Sequence, residues 1–152
     1  MYPGVHARER PNKTAYVMAK SGLAVSYAEL DQASNRVARL LRRLGLERGQ
    51  SIAVLIENNP RFFEVCWAAQ RAGLYYTPIS THLKAEEAAY IIDDCDARAL
   101  FTSRAMAPTA TGLLEMAPGL RAAFMCDGPL QGYESLEEAA AAESDSPIDD
   151  ES

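Results

Sequence analysis

Cysteine, histidine and tryptophan are scarce in this chain, at three, two and one among 152 residues. Cys66, Cys95 and Cys126 are odd in number and far apart, with no CxxC pair and no Cys-His grouping. That excludes a disulfide framework and a structural zinc site, and leaves buried free thiols as the reading. No apolar run is long enough to span a bilayer, and the opening MYPGVHARERPNK lacks the apolar core of a secretory signal, so the expected location is cytoplasmic. Neither GxxxxGK[ST] nor GxGxxG occurs. Gly45 and Gly49 make too short a loop and open a strand rather than a helix, which excludes the usual single-motif nucleotide sites. There are no internal repeats, and no low-complexity tract beyond a short alanine-rich stretch near residue 140.

What is present is the composition of one compact domain, 48% hydrophobic and 24% charged, at a length that buries about two-thirds of its unfolded surface. The net charge of -6 is unevenly spread. Residues 1–50 hold 9 Lys+Arg against 4 Asp+Glu, and residues 101–152 hold 2 against 10. Arg36, Arg39 and Arg43 fall at helical spacing opposite an apolar stripe, and no aromatic residues interleave with them. The expected reading is a solvated helix face, with no nucleic-acid partner.

Residues 45–83 read without a gap as strand, helix, strand. Residues 51–56 are a nearly continuous apolar run suited to a parallel strand covered on both faces. Asn59 is a good N-cap, Pro60 fits the first helical position, and Gly73 supplies the left-handed residue that ends the helix. Residues 75–79 return as a second strand. Upstream, residues 1–13 read as an irregular lead-in, and residues 14–18 and 23–25 as a hairpin. Ser26 with Glu29 forms a capping box in front of a helix whose buried stripe is Leu30, Val37, Leu40, Leu41 and Leu44. Downstream, a helix over 85–95 begins after Lys84, which cannot accept the amide bonds a cap must accept, so the cap is lost or moves to Thr81. Residues 98–102 form a strand, Ser103 caps a helix running to about 117, and residues 120–126 form a further strand. The expected fold is α/β, a mostly parallel sheet with flanking helices and an N-terminal β-hairpin. The expected division is an α/β unit over 1–127, followed by a short helix and an acidic, disordered linker over 128–152.

The central stretch also carries a resemblance. Gly45, Gly49 and Gln50 lead into residues 52–55, then Asn59 with Phe63, Arg71-Ala72-Gly73, and Thr77-Pro78-Ile79-Ser80. This order and spacing resembles the N-terminal region of adenylate-forming acyl-CoA synthetases, the luciferase-like fatty-acid CoA ligases, and YYTPISTHL followed by KAEEAAYIIDDCDARALF is especially similar to bacterial fatty-acyl members. Gln50 and Ser80 stand where that family usually has Asp and Asn. The resemblance extends at lower density over residues 3–127. It implies an ATP-dependent ligase that joins a fatty acid to AMP and then to the thiol of CoA, with ATP, Mg and CoA as the parent enzyme's cofactors. The family's phosphate loop, adenine motif, ribose-binding aspartate and catalytic lysine are not found in this chain, so the chain alone is expected to bind none of these cofactors and to be inactive. Its expected partners are the remainder of the synthetase or other copies of itself. A stand-alone, non-catalytic binding or regulatory domain is the alternative.

Few residues are candidates for chemistry. His82, in the loop after the second strand, lies where open α/β sheets place ligand residues and is the one substrate-binding candidate. Tyr75 and Tyr76 are expected in the core rather than in an acyl channel. Asp93, Asp94 and Asp96 lack the glycine turn of a calcium loop and are expected to be solvated. No nucleophile, general base or metal site is expected.

Overall fold

The computed structural model describes residues 3–151. Its centre is a five-stranded parallel sheet built from β3 (Ser51–Leu55), β4 (Tyr75–Pro78), β5 (Ala97–Ser103), β6 (Ala122–Cys126) and β7 (Glu134–Ser135), in the order β4-β3-β5-β6-β7. The hairpin is separate: β1 (Thr14–Val17) pairs antiparallel with β2 (Ala24–Ser26). Helices α2 (Tyr27–Arg43), α3 (Pro60–Arg71) and α7 (Leu136–Ala141) cover one face, and α4 (Ala85–Asp94), α5 (Ala107–Ala110) and α6 (Leu113–Met116) the other.

Strand alternation shows why both faces need cover. Ile52, Val54 and Ile56 enter the α2/α3 layer while Ala53 and Leu55 enter the α4/α6 layer, so β3 is apolar at every position past its first residue. On β5 the register slips between the pairs Ser51↔Ala97 and Ile52↔Ala99. Arg98 absorbs the extra residue, which puts Ala97 and Ala99 in opposite layers. Phe101 and Phe124 stack across β5 and β6 with centroids 5.3 Å apart.

The helix ends form by the local chemistry read from the sequence. The backbone N–H of Ser26 donates to the Glu29 carboxylate at 2.7 Å, and that of Glu29 donates to Ser26 Oγ at 3.3 Å. Asn59 Oδ1 accepts from the Arg61 N–H at 3.0 Å, with Pro60 first in the helix. At the far end Gly73 takes φ 66°, and the N–H of Leu74 reaches the Ala69 carbonyl at 2.8 Å, closing a Schellman turn. Lys84 keeps only half a capping box, its backbone N–H donating to Glu87 at 2.9 Å.

Several expectations are corrected. Within residues 1–13, α1 (Pro3–Glu9) is a helix rather than an irregular lead-in, started by Pro3 and packed on α2 through the His6–Tyr27 ring pair at 4.8 Å; Met1 and Tyr2 lie outside the described residues. The helix expected from Ser103 to about 117 is a 3-10 turn at Arg104–Met106 followed by α5 and α6, because Pro108 lacks an amide proton and Gly112 is left-handed at φ 78°. Ser103 does not cap; its hydroxyl donates to Glu57. β7, only two residues long, was not expected. Tyr75 is 69% exposed, not core, since β4 is an edge strand; Pro78, with no N–H to offer, suits that edge. The short helix expected after residue 127 forms as α7, and the stretch around it is tied down rather than loose: β7 extends the sheet, Leu136 is fully in the core, and Ile148 is buried against it.

Candidate functional site

The strand order places the reversal of winding between β3 and β5. The chain leaves β3 into the α3 layer, whereas β5 leads to α5 and α6 on the opposite face, so the carboxyl ends of these strands part and open a crevice. Glu57 and Asn59 follow β3, Ser103 closes β5, Asp127 follows β6, and Arg61, Glu64 and Glu137 project from α3 and α7. A cleft of about 430 Å³ lies here, walled on its outer side by hairpin residues Leu23 to Val25 and by Glu29 and Ala33 of α2.

These groups are tied to one another. Asn59, almost fully buried, donates through Nδ2 to Asp127 at 2.5 Å and to Glu57 at 3.2 Å, while Glu57 accepts the Ser103 hydroxyl. The Thr102 hydroxyl donates to the Leu55 carbonyl at 2.7 Å, joining β5 to β3 a second time. Asp127 adopts φ 63°, and its N–H donates to Glu137 at 2.8 Å. Arg61 donates to both oxygens of the buried Glu64, at 3.1 and 2.8 Å. Burial pulls the Arg61 pKa down, yet the charge and hydrogen bond of Glu64 together with the charge of Glu137 outweigh it, and the net shift is upward.

Such a cluster fixes three loops but offers little reactivity. Cys126 is buried; desolvation first, then the charges of Asp127, Glu137 and Glu57, push its thiol pKa up, so it stays protonated and is a poor nucleophile. Cys126, Asp127 and Glu137 bring donor atoms within 4.8 Å of one another, one such grouping among the described residues. It does not suit Mg²⁺, which wants oxygen donors in octahedral array: one donor is a protonated thiol, Asp127 is held by Asn59, and Glu137 is taken by the Asp127 amide with Arg61 at 3.9 Å.

His82 lies on the same carboxyl edge, beyond β4, but outside this crevice. Its side chain is exposed, and its backbone N–H donates to Ser80 Oγ at 3.4 Å. Tyr76 is half-buried against the α2/α3 layer. Asp93, Asp94 and Asp96 are exposed, and Asp96 pairs with Arg98 at 2.7 Å, in keeping with the solvated reading.

Sequence reading missed a second polar assembly, on the helical layer. Arg71, only 1% exposed, donates to Ser34 Oγ at 3.0 Å, Asn35 Oδ1 at 2.8 Å and Glu151 at 2.6 Å, and pairs with Asp31. It joins α2, α3 and the acidic tail. Desolvation lowers its pKa and the Asp31 bond opposes that fall. The arginine face of α2 is likewise not simply solvated, because residues 143–151 lie along it. The signal was present in the opposite charges of the two ends of the chain.

Comparison with known proteins agrees with this architecture. Residues 5–151 match the AMP-binding enzyme family. Long-chain fatty acid transport protein 1 of Mus musculus is 33% identical over 130 residues, 86% of this chain and 20% of that protein. Crotonobetaine/carnitine--CoA ligase of Escherichia coli is 37% identical over 101 residues, 64% of this chain and 19% of the ligase. The solved Mycobacterium tuberculosis fatty acyl CoA synthetase superposes with a TM-score of 0.85 at 23% identity, covering 99% of this chain and 29% of that one. This chain thus spans about a fifth of the length of the curated relatives it matches. With the matched residues running nearly end to end through a switch-point α/β sheet, the chain belongs to the AMP-binding enzyme family.

Proposed function

We propose that these residues are the opening scaffold of a cytoplasmic, ATP-dependent fatty-acyl-CoA synthetase, which converts acid, ATP and CoA to acyl-CoA, AMP and pyrophosphate through an acyl-adenylate. The observation that carries the reading is the family match over residues 5–151; relatives named for long-chain fatty acids support the acyl class. ATP, Mg²⁺ and CoA then engage other parts of the enzyme, and this chain holds the first sheet in place for them. The isolated chain is inactive, because the groups that would stabilise charge on the reacting phosphate are not among its residues. Exposed His82, on the carboxyl edge, is the residue of this region to test for contact with the acyl substrate.

Fatty-acid-dependent ATP–pyrophosphate exchange is the test. The isolated chain should give no exchange above a heat-inactivated control, and the same gene read through its phosphate loop should give exchange with fatty acids. Exchange by residues 1–152 alone would move the chemistry into this chain. A full-length product that activates only aryl acids would refute the fatty-acyl assignment.

A further inference from the structure

The acidic tail and the arginine face of α2 form one device. Arg36 donates to the Glu143 carbonyl at 2.5 Å and lies 3.6 Å from Asp145. Arg39 donates to the carbonyls of Ser146 and Pro147 at 2.7 and 2.6 Å. Arg42 grips Asp150 with two nitrogens, at 3.1 and 2.7 Å, Arg43 pairs with Glu143, and Arg48 donates to the Asp150 carbonyl at 2.5 Å. Glu151 ends the row on buried Arg71. Against these contacts the segment has one apolar anchor, Ile148, and contributes no strand or helix of its own beyond Ala141.

The balance of forces follows. Most of the attachment is charge to charge or guanidinium to carbonyl at a surface, where added salt screens it: the Debye length falls from roughly 30 Å at 0.01 M to roughly 3 Å at 1 M. Burial of one isoleucine is unaffected by that screening. The sheet beneath is held by apolar burial on both faces and is not weakened in the same way.

We propose that residues 143–151 are an electrostatic strap, closed over the arginine row of α2 at low ionic strength and released as a unit at high ionic strength while the sheet stays folded. Release strips Arg36, Arg39, Arg43 and Arg48 of their tail partners and leaves Arg42 only its bonds to the Leu46 and Ala72 carbonyls, so that the five guanidinium groups form one basic strip. It also uncovers the apolar seat of Ile148. The proposal is independent of the activity assigned to the whole enzyme.

Backbone ¹⁵N relaxation on the 152-residue chain tests it. At 10 mM NaCl the order parameters of residues 144–146 and 148–151, Pro147 having no N–H, should match those of β3 and β5, about 0.85, and at 1 M NaCl they should fall below about 0.6 while the strand values hold. The triple variant D145N/D150N/E151Q alters the strap and leaves every arginine in place; it should give the low values already at 10 mM NaCl, with strand values unchanged. Low order parameters for 144–151 in the unaltered chain at 10 mM would show that no closed state exists. Values that stay high at 1 M, or a triple variant that stays ordered, would show that Ile148 and not charge holds the segment. Strand values that fall together with the strap would show that it is no separate unit. Any one of those results overturns the proposal.

Discussion

Arg71→Met is the most informative single substitution in the helical layer. Methionine reproduces the aliphatic stem of arginine and ends where Nε stood, so the packing of the stem is kept. What is lost is a guanidinium that satisfies four groups at once. Removing one partner of a buried ion pair costs about 3–5 kcal/mol. The side chains of Asp31 and Glu151 are 22% and 25% exposed, so both carboxylates regain some water, which argues for the lower end. Ser34 still donates to the Asp31 carbonyl at 3.0 Å and Asn35 to the Asp31 carboxylate at 3.3 Å, so the polar atoms left over are few. The expected loss is about 3 kcal/mol, a large share of the ~5–15 kcal/mol typical of a domain. With a urea m-value of about 2 kcal/mol/M, the midpoint moves down by about 1.5 M. Arg71→Lys, which keeps the charge but not the planar fork, should recover only part of that loss. Circular dichroism during urea titration at pH 7 provides the measurement. A loss below about 1 kcal/mol, the range of an exposed ion pair, would refute the view that Arg71 is the junction of α2, α3 and the tail.

Other predictions bear on the remaining features. Ser26→Ala should cost about 1 kcal/mol in a urea melt, and Ser80→Ala, at an exposed loop position, clearly less; equal and negligible losses would remove the capping-box argument. The Ser26 backbone amide holds the Glu29 carboxyl below its ordinary value, so its contribution is present above the unfolded pKa of about 4.3 and lost as pH falls through the folded value. The destabilisation caused by Glu29→Ala should accordingly shrink between pH 6 and pH 3 in parallel melts, and a pH-independent difference would contradict the assignment. Burial pushes the Cys66 thiol up to about 12 and Cys126 is buried, so Ellman's reagent at pH 8 should find the half-exposed Cys95 first and all three thiols only in denaturant. Tyr75 on the β4 edge and Tyr90 on the outer face of α4 are 69% and 70% exposed, and an unpaired strand edge lies beside the first. The isolated chain should self-associate in light scattering after size exclusion, whereas a single 16.6 kDa species that persists on concentration would favour the stand-alone domain.

The parts of the fold legible in the sequence were those written in adjacent residues. Ser26 with Glu29, Asn59 with Pro60, and the left-handed Gly73 each carry their partner within a few positions, and all three form as read. The alternation of strand and helix announced a parallel sheet, though not which strand would lie at its edge. That is why Tyr75, apolar enough for a core, ended in solvent. Long-range polar chemistry was the harder part. Arg71 meets Asp31 and Glu151 across 40 and 80 residues, and Asn59 meets Asp127 across 68, distances over which no local pattern marks the pair. The tail was misread because five acidic residues in nine resemble a disordered linker, and composition does not show the arginine row waiting for them.

The position of β3 between β4 and β5 also bears on synthesis. β3 is made before either neighbour, and the strand on its second flank, β5, is completed only at Ser103. At about 5–20 residues per second, the roughly fifty residues between the end of β3 and the end of β5 take about 2–10 s to appear. During that interval SIAVL, the apolar strand on which the sheet is centred, has no pairing on that edge, and α4, the first helix over one of its faces, is complete only at Asp94. A ribosome that stalls before Ala97 therefore presents a strand with one unpaired, aggregation-prone edge, and the demand for a chaperone falls between the synthesis of β3 and that of β5.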